Sequence, residues 1–166
     1  MTGETYKKMT DALRSKPRLL KMLSIANKAF AYVIFALYPL MLVYLYFLNR
    51  DRLFRAVYVP AVNFVFLSVF RKIANFPRPY EVYGIPSAIP KKTEGKSFPS
   101  RHVFSAAIIG MTSLYAFDTP FIGAAVLSVA LAMAVFRVVS GVHFPRDVVA
   151  GFLYALISGI IGFFIF

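Results

Sequence analysis

Residues 121–147 read FIGAAVLSVALAMAVFRVVSGVHFPRD, and this stretch decides the fold. Phe121 to Val139 is apolar almost throughout, close to the roughly 20 residues an α-helix needs to cross the hydrocarbon core of a bilayer. Its one charge, Arg137, sits among Phe136, Val138 and Val139, where an ionised group is costly unless a partner meets it. Ser140-Gly141 closes the span, Val142 to Pro145 makes a brief loop, and another apolar run follows from Arg146 to Phe166. Two spans meeting at Arg137, His143 and Asp147 predict a polar site at the edge of a membrane.

Upstream, Asp118-Thr119-Pro120 turns the chain, with Pro120 suited to a first helical position. Before it, a span from Ser100 to about Phe117 is expected, with Ser100 as its N-cap. Ala29 to Leu48 forms the first span, Asn49-Arg50-Asp51-Arg52 a polar turn, and Ala56 to Phe70 a shorter span closing on Arg71-Lys72. Between Asn75 and Phe98, Pro77, Pro79, Pro86 and Pro90 forbid a continuous helix. From Tyr6 to Ala26, Lys7, Lys8, Arg14, Lys16, Arg18 and Lys21 interleave with Met9, Leu13, Leu19, Leu20 and Leu23, the pattern of an amphipathic interfacial helix broken at Pro17. The expected fold is therefore an all-α integral-membrane bundle of about five transmembrane helices plus an N-terminal amphipathic interfacial helix. Residues 1–27 form the basic amphipathic segment of that scheme, and residues 28–166 a single transmembrane domain.

Composition agrees with this reading. Of 166 residues, 59% are hydrophobic and mean hydropathy is +0.67, above the roughly half-apolar usage of soluble domains. The absence of cysteine rules out disulfides, thiolate nucleophiles and cysteine-based metal sites. A net charge of +12, from 19 Lys and Arg against 7 Asp and Glu, attracts anions, which beside a bilayer means lipid headgroups or phosphorylated substrates. Nucleic acid is not expected as a partner. Charges precede the first span without a small-residue cleavage signal, so no removable signal peptide is expected.

Three polar clusters interrupt the apolar chain: Arg71 with Arg78-Pro79, then Pro99-Ser100-Arg101-His102, then Arg137 with His143 and Asp147. Both histidines of the chain lie in them. Counting crossings from the amino terminus puts the loop between spans two and three on the same side as the loop between spans four and five. The clusters therefore face one membrane surface, that of the amino terminus. His143 and Asp147 are four apart and share a helix face, so the carboxylate can orient the imidazole; capping the helix is the other role open to Asp147. His102 follows the start of a helix, where free amides favour an anion. Arg71 and Lys72 also suit membrane-edge anchors. Two histidines and one aspartate are too few for a metal centre, and no metal or other cofactor is expected.

These spacings resemble the type 2 phosphatidic acid phosphatase superfamily of membrane lipid phosphatases, whose signature runs Lys-x6-Arg-Pro, Pro-Ser-Gly-His and Ser-Arg-x5-His-x3-Asp. Here the three elements read Arg71-x6-Arg78-Pro79, Pro99-Ser100-Arg101-His102 and Phe136-Arg137-x5-His143-x3-Asp147. The resemblance implies that His143 is the nucleophile forming a phosphohistidine, Asp147 its orienting carboxylate and His102 the acid that protonates the leaving oxygen. It implies that Arg71, Arg78 and Arg137 clamp the phosphate and that Ser100 adds a hydrogen bond, with no metal. Three positions depart from the pattern: Arg71 replaces lysine, Arg101 replaces glycine and adds a cation to the phosphate site, and Phe136 replaces serine. The expected substrate is a lipid phosphate or an isoprenyl diphosphate such as undecaprenyl diphosphate, with phosphatidylglycerol phosphate and phosphatidic acid also fitting. The competing reading is a non-catalytic lipid-phosphate binder or transporter, which has no need of an acid and a nucleophile. Basic residues before the first span outweigh those of the Asn49–Arg55 turn, so the positive-inside rule places the site in the cytoplasm, on a multi-pass cell-membrane protein.

Overall fold

Thr2 opens the first helix, its hydroxyl accepting the Thr5 amide at 3.3 Å, and α1 runs over Gly3–Arg14 in a computed structural model that describes residues 1–91 and 93–165. Proline cannot continue a helix but suits its first turn, so the chain breaks at Ser15-Lys16 and restarts as α2, Pro17–Leu48. The amphipathic segment expected over 1–27 is thus split, and its second half runs unbroken into the first span. Asn49 alone separates α2 from α3, Arg50–Ala74, which takes in the polar residues on both sides of the apolar run expected there. The proline-rich loop that follows contains one short helix, α4, Pro79–Tyr83. Then come α5, Arg101–Ala116, α6, Phe121–Val139, and α7, Pro145–Ile160, which ends in a π-helical turn over Ile161–Ile165.

Four of these helices are long and apolar enough to cross a membrane: α2, α3, α6, and α7 with its final turn. The third expected span, α5, has 16 residues, yet it reaches from one end of the bundle to the other. At one end Arg52 of α3 donates to the carbonyls of Tyr115 and Ala116, at 3.2 and 3.3 Å. At the other, Arg71 of α3 donates to the carbonyl of Pro99, just before α5 begins. The stretch of α3 between those arginines is about 28 Å long at 1.5 Å per residue.

Helix α5 is the axis of the molecule, packed by α2, α3, α6 and α7. Phe104, Ala106, Ala107, Ile108 and Met111 are buried against Leu67 of α3, Ala130 and Met133 of α6 and Ala155 of α7. Lipid tails are as apolar as these side chains, so close packing and interhelical hydrogen bonds hold such a bundle together. Phe104 stacks on Tyr154 with ring centroids 5.3 Å apart, and the Tyr154 hydroxyl donates to Asn63 Oδ1 at 2.7 Å. Tyr32, Leu40, Phe47, Phe54, Val65 and Ile73 point outward from α2 and α3 and are exposed. That placement is inverted for water and correct for lipid.

Candidate active site

The carbonyl of Arg137 at the end of α6 accepts the amides of Val142 and His143, at 3.1 and 3.2 Å, and so folds the chain back within a few residues. Gly141 makes that reversal at φ +75°, and a Cβ there would lie 2.7 Å from the ring of Tyr6. The turn delivers His143 to the interior with 2% of its surface exposed. Its Nδ1 lies 3.4 Å from Oδ2 of the fully buried Asp147. Oδ2 also accepts the Phe144 amide at 3.0 Å and the Ser97 hydroxyl at 2.5 Å. Asp147 therefore fills both roles that the sequence left open, capping α7 and holding His143. With Nδ1 turned to the carboxylate, the opposite ring nitrogen, Nε2, is directed away from it.

Burial is the main force on this imidazole. It pushes the pKa of His143 down to about 4, the charges of Arg78 and Arg137 push the same way, and Asp147 opposes them. The ring is neutral near pH 7, the form in which a nitrogen can attack.

Around it stand the cations. Arg78, 7% exposed, precedes α4; its Nε donates to Gly95 O at 3.0 Å and an Nη to Val142 O at 3.4 Å. Arg137, 8% exposed, leaves its buried Nε without a hydrogen-bond partner. Ser100 is fully buried and caps α5 through its backbone alone, so its hydroxyl is also unpartnered. Buried donors seldom stay unpaired. Two of them, with the likewise unpartnered Oδ1 of Asp147, belong to the segments that meet at His143. His102, in the first turn of α5, is within electrostatic reach of His143 and Arg137 and shares with Arg137 the wall of a cavity of about 400 Å³.

Two expected phosphate ligands are placed otherwise. Arg71 is buried, whereas Lys72 beside it is exposed, so Arg71 is the basic residue that faces inward. Its guanidinium donates to the carbonyls of Lys96, Ser97 and Pro99, fastening the loop that carries Ser97 and Ser100 in place of gripping phosphate through those nitrogens. Arg101 is exposed and lies 5.7 Å from the centre of the Phe64 ring on α3, outside the buried cluster.

The start of α5 and the start of α7 are joined directly. The Ser100 amide donates to Asp147 O at 2.7 Å. Gly151, one turn further along α7, is pressed so close that a Cβ would stand 2.6 Å from Ser100 O.

Three contributors escape the sequence reading. Ser97 reaches Asp147 across 50 residues. Glu81 accepts the amides of Arg78, at 2.8 Å, and Gly95, at 3.0 Å, and so steadies the arginine. Tyr6 of α1 is fully buried, and its hydroxyl, 3.2 Å from the carbonyls of both Ile85 and Gly141, spans the loop before the site and the turn that carries His143. None of these has a local signature. The nearest signal was the buried-type position of Tyr6 on an otherwise basic helix.

Comparison with known proteins agrees with the geometry. No curated protein matches the chain. The crystal structure of Aquifex aeolicus LpxE is similar to it with a TM-score of 0.73 at 25% identity, over 96% of this chain and 92% of that one. Residues 52–166 match the PAP2 superfamily, and that stretch holds all three clusters together with the helices that carry them. The chain belongs to the PAP2 superfamily and is a membrane lipid phosphatase.

Proposed function

We propose that this phosphatase acts on a lipid monophosphate or an isoprenyl diphosphate, undecaprenyl diphosphate among them, through a phosphohistidine at position 143. His143 Nε2 attacks phosphorus while the bond to the leaving oxygen breaks, and His102, protonated in the field of the bound anionic substrate, gives that oxygen its proton. Water, deprotonated by His102, then attacks the phosphohistidine, releasing inorganic phosphate and the free imidazole. Charge developing on the nonbridging oxygens is met by Arg78, by the free Nε of Arg137 and by the Ser100 hydroxyl, donors already in place before the reaction. Asp147 supports the positive charge that grows on the ring.

The observation that carries this reading is the buried His143–Asp147 contact of 3.4 Å beside two unpartnered donors. Brief incubation with a radiolabelled lipid phosphate, quenched in alkali, is expected to leave acid-labile label on the wild-type protein and none on His143→Gln. Label retained by that variant would transfer the nucleophile elsewhere.

The site faces the cytoplasm in this proposal. Support comes from α1, which carries Lys7, Lys8 and Arg14 and packs at the site end through Tyr6, together with the preference of basic segments for that compartment. Thr93→Cys, in a chain otherwise free of cysteine, is expected to resist an impermeant thiol reagent in intact cells; labelling would reverse the orientation.

A further inference from the structure

The cavity beside His102 is larger than one phosphate requires. Its inner wall is His102 and Arg137, and its outer wall is Ser24, Asn27 and Lys28 of α2 together with Lys91 of the loop between α4 and α5. Ser24, Asn27 and Lys28 lie outside the segment that matches the PAP2 superfamily. We propose that this outer wall is a second anion subsite, where Lys28 and Lys91 hold a negative charge carried by the departing part of the substrate.

The inference rests on the phosphatase reading and proceeds from the position of His102. In an in-line transfer the nucleophile and the leaving oxygen lie on opposite sides of phosphorus. His143 does not line the cavity and His102 does, so the group that leaves with the proton from His102 occupies it. When a lipid monophosphate is cut, an alcohol departs, and two ammonium groups have nothing to pair with. When a lipid diphosphate is cut, the His143–phosphorus bond forms and the bridging P–O bond breaks. The electron pair stays on the bridging oxygen, which takes the His102 proton, and a lipid monophosphate anion remains among the lysines.

Two further observations fit an anion there. Burial first, then the nearby charges of Arg137 and Arg78, lower the pKa of Lys91, so a negative guest relieves a crowd of like charges. Phe35 lines this cavity and also an apolar groove of about 280 Å³ between α2, α3 and α5, walled by Tyr38, Phe64 and Ile108. A tail in that groove leaves its attached phosphate in the outer cavity.

The test compares an isoprenyl monophosphate with the diphosphate of the same chain in uncharged detergent, where no anionic membrane surface contributes. For Lys28→Gln/Lys91→Gln, the ratio of kcat/KM for diphosphate over monophosphate is expected to fall roughly tenfold or more, the scale of a lost charge-assisted contact. Lys28→Arg/Lys91→Arg is expected to restore the ratio. An unchanged ratio, or an equal loss on both substrates, would overturn the subsite while leaving the phosphatase reading intact. Phosphate release from neither lipid by the wild-type protein would overturn the isoprenyl substrate, and the subsite with it.

Discussion

The two ends of the bundle treat arginine in opposite ways. At the far end, one Nη of Arg52 donates to the carbonyls of Tyr115 and Ala116 and to the carboxylate of Asp118 at 3.0 Å, where water is also at hand. At the site end, Arg137 is buried with no hydrogen-bond partner on its Nε, and the Ser100 hydroxyl is likewise unpartnered. A bundle that only needed to stand in a membrane would finish both ends like the first, because unsatisfied buried donors cost about 1–3 kcal/mol each. Arg71 belongs to the first kind although it sits at the second end, since backbone carbonyls occupy both of its terminal nitrogens.

The contrast can be broken most severely at the proposed nucleophile, His143. His143→Ala is expected to lower phosphate release by roughly 10⁴-fold or more, as loss of a covalent catalyst does, while the protein still extracts and unfolds as a single species. Release within tenfold of wild type would remove His143 from the reaction. Arg137→Ala takes away the idle donor and should cost roughly a hundred- to a thousandfold in kcat, the scale seen when one preorganised donor is deleted. Arg52→Ala at the far end should leave kcat within about twofold and lower stability by at most about 1 kcal/mol. Equal losses of turnover in these two variants would erase the distinction between the ends.

Gly151→Val sharpens the comparison from the side of packing. With a Cβ already 2.6 Å from Ser100 O, overpacking is expected to cost about 1–3 kcal/mol and to depress kcat together with the melting temperature. Acid provides a smaller and graded probe. The folded protein protonates His143 only near pH 4, whereas an unfolded chain does so near pH 6.5. The stability contributed by the neutral ring is complete above pH 6.5 and is lost as pH falls through 4. His143→Gln should flatten the unfolding midpoint across that window; an unchanged slope would show that other groups carry it.

Much of this was readable from the order of residues. Phe121–Val139 was bounded correctly because Pro120 and Ser140-Gly141 are local stop signals, and the three clusters lie at one end of the bundle. Local signals also made the start of α7 plain. What the chain order concealed were contacts between distant segments. The claim of Arg71 on three carbonyls depends on how the loop before α5 folds over α3, and nothing around Arg71 announces it. Arg101 at the first position of α5 looked like one more phosphate ligand, but the helix phase turns it toward Phe64. Ser97 was invisible because a serine two residues before Pro99 has no reason, in sequence alone, to meet an aspartate at the head of another helix. The continuity of α2 was hidden for a different reason: its basic half and its oily half differ in composition but not in backbone.

The bond from the Ser100 amide to the Asp147 carbonyl, with Gly151 wedged behind it, acts as a mechanical joint. Bilayers vary in thickness, and helices answer by tilting. Because the joint lies between the segments bearing His102 and His143, a tilt of α5 or α7 carries the two histidines along together. The spacing of the two imidazoles is thereby insulated from the compliance of the surrounding lipid.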